Sequence, residues 1–178
     1  MNMNLTFIRH TSVAVEPGIC YGQSDVELSA TFEAEAQQVR SKLLQQPFDA
    51  VYCSPLSRCR KLASFCGFPD PVIDERLMEL NFGDWEMKAW ADIRDPHLQH
   101  WFDNWVEAAP TNGESFAALI IRVQEFLETL KTLPLHDVII FTHAGVIRAA
   151  GILAGTFLAS EAFNYQVGYG EAFNISLH

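Results

Sequence analysis

The stretch "NLTFIRHTSV", residues 4–13, changes character within a few positions. Its apolar run at residues 5–8 consists of strand-forming residues and predicts a short, buried β-strand. The run ends directly in a cation and an imidazole, Arg9 and His10. These two residues either cap a strand at the surface or line a site, and the remainder of the chain has to distinguish the two possibilities.

Two further predicted strands end in polar residues in the same way. The segment "DAVYC", residues 49–53, is followed by Ser54 and, one helical turn later, by Arg58. The segment "DVIIFTH", residues 137–143, ends in His143, and its apolar middle is typical of a strand that is covered on both faces. Weaker strand signals are "PVID" at residues 71–74 and "AFNISL" at residues 172–177.

Helical patterns separate these strands. A first helix is expected between a cap at Ser29 or Thr31 and the stop at Pro47. A second helix is expected after Ser54, with Pro55 at its first position. Two further helices are predicted at residues 115–133 and 146–155. Strands that alternate with helices predict an α/β fold, a three-layer sandwich with a largely parallel central sheet flanked by helices.

The domain organisation is predicted to be simple. We expect one domain over residues 1–178, because neither a repeat nor a low-complexity linker interrupts the pattern. The segment at about 84–113 differs from the rest in its many large aromatic residues and its weak strand pattern. We interpret it as a Trp-rich helical excursion that lies over one edge of the sheet.

The polar residues after the strands are expected to meet. In a parallel sheet the carboxyl ends of the strands lie at one edge, and ligands bind there. Arg9, His10, Arg58 and His143 should therefore converge, together with backbone donors from the helices that start nearby. Each residue alone could be an ordinary surface group. Their repeated placement instead favours a site for an anion with several oxygen atoms, and phosphate is the obvious candidate.

Composition excludes several classes of function. The net charge of -10 and the lack of a basic run argue against a nucleic-acid partner. No stretch is apolar and long enough to span a bilayer, and the start of the chain lacks a secretion signal. We therefore predict no membrane partner and a cytoplasmic location. The four cysteines form no CxxC pair and are expected to be free thiols: Cys20, Cys53, Cys59 and Cys66.

Five separated motifs resemble those of the histidine phosphatase superfamily, which has the phosphoglycerate mutase-like fold. They are "RH" at residues 9–10, "SPLSR" at 54–58, "ELNFGDWE" at 79–86, "GES" at 113–115 and "THAGVIR" at 142–148. The spelling "GICYGQSDVELS", residues 18–29, is similar to the α-ribazole-5′-phosphate phosphatase branch of that superfamily. The resemblance runs over nearly the whole chain in order. It implies a metal-independent phosphomonoesterase that needs no cofactor and acts on a small phosphorylated metabolite.

The resemblance also implies roles for individual residues. His10 would attack phosphorus as a neutral ring and form a phosphohistidine. Arg9 and Arg58 would bind phosphoryl oxygens, and His143 would donate a hydrogen bond to the same group. The unused nitrogen of His10 would need a backbone acceptor that fixes the tautomer.

The leaving group needs a proton donor, and Glu79 matches the acid position of the superfamily. Neighbouring apolar residues, Leu80 and Phe82 among them, could desolvate its carboxyl group and favour the protonated form. Glu86 is a serious rival for this role, and Asp84 is a weaker one. The alternative is that Glu79 has no catalytic role and only caps a turn.

Further residues are predicted to bind the substrate. Thr11 stands where most of the superfamily has Gly, and its hydroxyl either contacts phosphate or only packs; the α-ribazole branch tolerates Thr here. Ala144 stands where Gly is more usual. The complete predicted set of substrate-binding residues is Thr11, Tyr21, Gly22, Gln23, Ala144 and Trp85.

Several residues keep two interpretations. Core packing explains any single aromatic ring, but an aromatic mouth would suit the flat dimethylbenzimidazole of α-ribazole. We therefore expect at least one of Trp85, Trp90, Trp101 or Phe102 to contact the leaving group. The pair at residues 114–115 either starts a helix or supports the nucleophile. Arg148 is expected to serve structure.

Other functions remain as alternatives to hydrolysis of α-ribazole-5′-phosphate. The first is a phosphatase for another small phosphate ester, such as a sugar phosphate. A phosphoglycerate mutase and a catalytically silent phosphate-binding module are weaker alternatives, since the predicted catalytic residues are all present. A homodimer is a possible assembly.

Overall fold

The sheet has the predicted mostly parallel organisation. The structure, a computed structural model, describes residues 2–178. The five strands are β1 (Met3–Arg9), β2 (Ala50–Cys53), β3 (Val72–Ile73), β4 (Asp137–Thr142) and β5 (Ala172–Leu177). They are arranged in the order β3-β2-β4-β1-β5. β1 and β2 both pair with β4 in parallel, β3 is parallel to β2, and only β5 runs antiparallel, along β1.

Helices cover both faces of this sheet. They are α1 (Phe32–Leu43), α2 (Ser57–Phe65), α3 (Leu98–Asp103), α4 (Phe116–Lys131) and α5 (Ala144–Leu153). Because side chains alternate along a strand, Phe7 and Ile140 pack with α4 and α5, whereas Ile8 and Phe141 pack with α1 and α2. The three-layer α/β sandwich predicted from the sequence is thus confirmed.

The helix starts differ in part from those predicted. Ser115 caps α4 as its hydroxyl accepts a hydrogen bond from the Ala118 N–H at 3.1 Å. Thr31 precedes α1 but makes no capping bond; its hydroxyl donates to the Glu35 carboxylate. α2 starts three residues after Ser54, whose side chain turns toward His143. This last difference matters for the site.

The Trp-rich segment contains less regular helix than expected. Its one α-helix is the short α3, and its remaining helical pieces are single 3-10 turns at Gly83–Trp85 and Trp90–Asp92. The aromatic rings pack into a small cluster of their own around buried Trp85 and Trp101. Within residues 2–178 no helix combines the length and the apolarity needed to cross a membrane.

Candidate active site

A cavity of about 240 Å³ lies at the carboxyl end of the parallel strands. Many of the predicted site residues line it, namely Arg9, His10, Tyr21, Arg58, Glu79 and Ala144. Its remaining wall consists of Leu80, Phe82, Phe116, Gly145, Arg148 and Phe163. Arg9 and His10 at the end of β1 therefore line a site and do not simply cap a surface strand. A larger groove of about 540 Å³, between Ser57 and Ile73, contains none of these residues.

His10 is held as a neutral ring with one free nitrogen. Its Nδ1 lies 2.7 Å from the backbone oxygen of Thr11. A carbonyl oxygen only accepts, so Nδ1 carries the proton and Nε2 keeps its lone pair. Burial, helped by the charge of Arg58, lowers the pKa of His10 to about 3. The ring is thus ready to act as a nucleophile at neutral pH, and the predicted backbone acceptor is present.

His143 lies beside His10 and does not line the cavity. Their ring centroids are 5.2 Å apart, in an edge-on arrangement. Nε2 of His143 lies 2.8 Å from Oγ of Ser54, which also accepts a hydrogen bond from the Leu56 N–H. Burial, and next the charge of Arg58, hold the pKa of His143 well below its usual range. The two imidazoles thus lie side by side, with Ser54 on Nε2 of the second ring. A hydrogen bond from His143 to phosphate stays a prediction.

Arg58 and Arg9 bring two guanidinium groups to the cavity wall. The terminal nitrogens of Arg58 donate to the backbone oxygens of Gly22 and Ser24. Arg9 donates to the oxygen of Val167. Among residues 2–178, neither buried Nε atom has a hydrogen-bond partner. Neither guanidinium group forms an ion pair with a carboxylate in the described part of the chain, so two unpaired cations in one cavity wall indicate a site for an anion.

The loop at residues 22–24 holds Arg58 and is itself held by Glu86. The Glu86 carboxylate accepts hydrogen bonds from the N–H groups of Gly22 and Gln23 and from the Ser24 hydroxyl. Gly22 is required here because a Cβ atom would overlap the backbone oxygen of Leu80. Gly22 and Gln23, predicted to bind substrate, thus lie outside the cavity wall and support it. Glu86 is a loop anchor, which removes it as a rival proton donor.

Glu79 supplies the carboxylate of the cavity. Of the residues in 2–178 that line it, Glu79 alone carries a carboxyl group. One oxygen accepts a hydrogen bond from the Leu80 N–H at 2.9 Å and the other from the Gly145 N–H at 3.2 Å. Asp84 lies elsewhere and accepts a hydrogen bond from Asn112. Glu79 is therefore the carboxylate placed to serve a group bound near His10.

The tryptophans do not form the predicted mouth. Trp85 is buried, and its indole N–H donates to Asp95 at 2.9 Å. Trp90 and Trp101 stack on each other at 5.6 Å, and Phe102 packs against both. None of these rings lines the cavity, because they pack against one another in a separate cluster. The aromatic wall instead consists of Tyr21, Phe82, Phe116 and Phe163.

Of the two interpretations of Thr11 the structure favours packing, whereas Arg148 differs from expectation. Thr11 is completely buried away from the cavity, and its hydroxyl has no partner among residues 2–178. Arg148, expected to serve structure, lines the cavity, and burial lowers its pKa. It follows Ala144 by one turn of α5, so helical spacing could have placed it there. Phe163 comes from a 3-10 turn with no recognisable motif.

No group of three or more His, Cys, Asp or Glu side chains in the described part of the chain is arranged to hold a metal ion. All four cysteines are free and buried. Burial raises the pKa of Cys59 well above its usual range. The reactive groups at the cavity are thus the His10 ring, the guanidinium groups and the Glu79 carboxyl.

Comparison with known proteins identifies related phosphatases. A family model described as "Histidine phosphatase superfamily (branch 1)" matches residues 5–175. A curated relative, the adenosylcobalamin/alpha-ribazole phosphatase of Salmonella typhimurium, is 29% identical over 94% of this chain and 87% of the relative. The protein of the same name from Escherichia coli K12 is 32% identical, over 82% of this chain and 75% of the relative.

A solved structure agrees with these relatives. The crystal structure of the alpha-ribazole phosphatase from Shigella flexneri superposes with a TM-score of 0.88 and 29% identity. The superposition covers 97% of this chain and 89% of that protein. Sequence and structure comparisons thus lead to the same group of enzymes.

Proposed function

The chain belongs to the histidine phosphatase superfamily, branch 1, and on that premise we propose that it hydrolyses α-ribazole-5′-phosphate to α-ribazole and phosphate through a phosphohistidine. One observation carries this proposal above all. His10 presents a free Nε2 in a cavity that the guanidinium groups of Arg9 and Arg58 also line, and neither guanidinium pairs with a carboxylate among residues 2–178.

In the first step the Nε2 lone pair of His10 attacks phosphorus, and the bond to the ester oxygen breaks. The leaving alkoxide takes the proton of the Glu79 carboxyl group, so that α-ribazole departs as a neutral alcohol. Arg9 and Arg58 offset the charge on the phosphoryl oxygens while it is transferred. The Nδ1–H of His10 keeps its hydrogen bond to the Thr11 oxygen, and this bond stabilises the positive ring that results.

In the second step water attacks the phosphohistidine. The Glu79 carboxylate, now without its proton, takes one proton from that water. The P–N bond breaks, its electron pair returns to Nε2, and phosphate is released. Enzyme and carboxyl group are then back in their starting protonation states.

The shape of the cavity supports an aromatic leaving group. Phe82, Phe116 and Phe163 form an apolar wall next to the phosphate-binding residues. The guanidinium carbon of Arg148 lies 5.6 Å above the Phe163 ring. A flat dimethylbenzimidazole could pack on this wall, and the relatives carry alpha-ribazole in their names.

A second candidate is hydrolysis of a small phosphate ester that carries another negative group. Arg148 favours it, because this third cation of the cavity could pair with a carboxylate of such a substrate. The net charge of -10 leaves the local arginines to supply the attraction for any anion.

We also propose a cellular location, a partner and a cofactor requirement for the enzyme. We place the enzyme in the cytoplasm, where the four free cysteines would stay reduced. Its partner is a small phosphorylated metabolite, and it needs neither metal nor cofactor. A homodimer stays a prediction.

A panel of phosphate esters tests the proposal with the purified protein in the presence of a chelator. We expect kcat/KM for α-ribazole-5′-phosphate to exceed that for sugar phosphates and for 3-phosphoglycerate. A preference for the carboxylated ester would support the second candidate instead. Absence of turnover with every ester would overturn the proposal of a phosphatase.

A further inference from the structure

The backbone of Glu79 is held from outside the cavity by an arginine on α4. Nη2 of Arg122 donates to the backbone oxygen of Glu79 at 3.1 Å, and Nη1 donates to that of Arg76 at 2.6 Å. The side chain of Gln23 donates to the same Glu79 oxygen at 3.1 Å. Arg122 thus fixes the segment that carries the proposed proton donor, yet it does not line the cavity.

An ion pair fixes Arg122 in turn. Glu114 accepts its Nε–H at 2.7 Å and an Nη2–H at 3.1 Å, and both side chains are less than one fifth exposed. The same carboxylate accepts the N–H of Asn81 at 3.0 Å, and the Glu114 N–H donates to the Asn81 oxygen at 2.9 Å. Glu114 and Arg122 therefore hold the backbone on both sides of Leu80 by hydrogen bonds. Glu114, one of the residues that the sequence left open, supports the acid rather than the nucleophile.

The position of the Glu79 carboxyl group depends on these hydrogen bonds to the backbone around Leu80. Its hydrogen-bond partners within residues 2–178 are two backbone N–H groups, of Leu80 and Gly145. The Leu80 N–H belongs to residues 79–81, the segment that Arg122 and Glu114 hold, while the Gly145 N–H belongs to α5. A shift of the segment therefore moves the acid relative to α5 and to His10, and proton transfer is sensitive to such shifts.

We propose that Arg122 is a positioning residue for the general acid, and that its ion pair with Glu114 sets the distance between Glu79 and the leaving-group oxygen. This inference rests on the proposed function. Arg122 acts through the backbone of Glu79, and its effect should follow the need of the substrate for a proton. An alkyl ester needs that proton, whereas p-nitrophenyl phosphate leaves as a stable phenolate.

The test compares Arg122→Lys with the unchanged protein on both substrates. Lysine keeps the positive charge but loses the forked geometry that reaches Glu79, Arg76 and Glu114 together. We expect kcat/KM for the alkyl ester, which reports only the step up to departure of the leaving group, to fall by about tenfold, a part of the 10²–10⁴-fold that general acid catalysis contributes. We expect kcat/KM for p-nitrophenyl phosphate to change by less than about twofold.

A double-mutant cycle with Glu79→Gln separates positioning from general loosening. In the Glu79→Gln background, Arg122→Lys should cost no further activity on the alkyl ester. Arg76→Lys provides a matched control, because Arg76 also forms a partly exposed ion pair, with Asp74, without bonding to Glu79. This control should lower thermal stability while the ratio of the two kcat/KM values stays unchanged.

Two results would overturn the inference. One is an equal loss on both substrates, which indicates a structural role or an effect of charge on the histidines. The other is a full further loss in the Glu79→Gln background. Transfer of labelled phosphate to His10 reports the proposed function independently. If labelling fails in the unchanged protein, the proposed function fails; if it succeeds and the ratio of the kcat/KM values stays constant, only the role of Arg122 fails.

Discussion

The proton on Nδ1 of His10 determines which nitrogen can attack. The Thr11 oxygen accepts a hydrogen bond from Nδ1–H, so Nε2 is free without any change in the rest of the site. The carboxyl group of Glu79 is set just as locally, by the N–H groups of Leu80 and Gly145. Small changes next to these atoms should therefore alter catalysis without unfolding the protein.

Gly145→Ala tests the position of the acid. A Cβ atom at Gly145 would overlap a Glu79 carboxylate oxygen and would lie 3.1 Å from the carboxyl carbon. Since the obstructing group is the end of a flexible side chain, the carboxylate should turn away while α5 stays intact. We expect kcat for alkyl phosphates to fall at least about tenfold, with stability unchanged or raised by up to about 1 kcal/mol, because alanine favours helix. Steady-state kinetics and urea unfolding check both effects, and an unchanged kcat would contradict the assigned role of Glu79.

Thr11→Val tests whether the hydroxyl of Thr11 has a use. That oxygen is buried and has no partner among residues 2–178, which costs about 1–3 kcal/mol. Since Thr11 does not line the cavity, valine of similar shape should raise the free energy of unfolding by about 1 kcal/mol. Inhibition by inorganic phosphate should stay the same. Weaker inhibition would instead assign the hydroxyl to phosphate binding.

Residues that end a strand were predictable, and residues that support them from elsewhere were not. Arg9, His10 and Arg58 follow strands of a parallel sheet, and the topology alone brings them together. Arg122 bonds to a backbone oxygen, and such a bond leaves no motif in the sequence. Trp85 was misplaced because an indole ring serves a core and a binding site equally well.

The 3-10 turn Ala159–Asn164 contributes one of the aromatic wall residues that the sequence did not predict. Its Phe163 ring contacts Trp105 at a centroid distance of 4.0 Å and lies below Arg148. The ring remains partly exposed at 45%. Its free face is therefore available to a leaving group at the mouth of the cavity.

Phe163→Ala tests this element. Aromatic contacts contribute about 0.5–1.5 kcal/mol each, so KM for α-ribazole-5′-phosphate should rise by about fivefold. KM for a small alkyl phosphate should not change. Phe102→Ala is the matched control, because Phe102 is similarly exposed but packs on the tryptophan cluster outside the cavity. A rise in KM for the control alone would restore the mouth predicted from the tryptophans.

Strand and helix periodicity predicted the sheet and most helices, whereas the structure of the Trp-rich segment could not be predicted from either period. β4 is recognisable because it is apolar through its middle and buried on both faces. α4 is recognisable from its apolar stripe and its Ser115 cap. The conformation of the segment between Gly83 and Gly113 is set by the packing of its aromatic rings and by the hydrogen bond from Trp85 to Asp95. Neither interaction produces a periodic pattern in the sequence.

At the scale of the whole molecule, two neutral histidines make stability depend on pH. The pKa of His10 is lowered to about 3 and that of His143 lies well below 6.5. Below about pH 6.5 the unfolded chain binds protons that the folded chain refuses. Stability is therefore complete above that pH and is lost as the pH falls toward the folded pKa values.

Urea unfolding between pH 7 and pH 5 checks this dependence. The free energy of unfolding should fall below pH 6.5 by up to about 1.4 kcal/mol per pH unit for each of the two histidines. His10→Asn should remove the share of His10 and flatten the curve. A stability that is constant over this range would mean that the two rings titrate normally.

The covalent step at His10 is the central step of the proposed reaction, and trapping of labelled phosphate tests it directly. Brief incubation with ³²P-labelled substrate, followed by denaturation in alkali, should leave label on the protein in an acid-labile, alkali-stable bond. His10→Ala should leave the protein unlabelled, whereas Glu79→Gln should retain or accumulate the label from p-nitrophenyl [³²P]phosphate. Label that persists in His10→Ala, or turnover in that variant at the rate of the unchanged protein, would contradict the central claim.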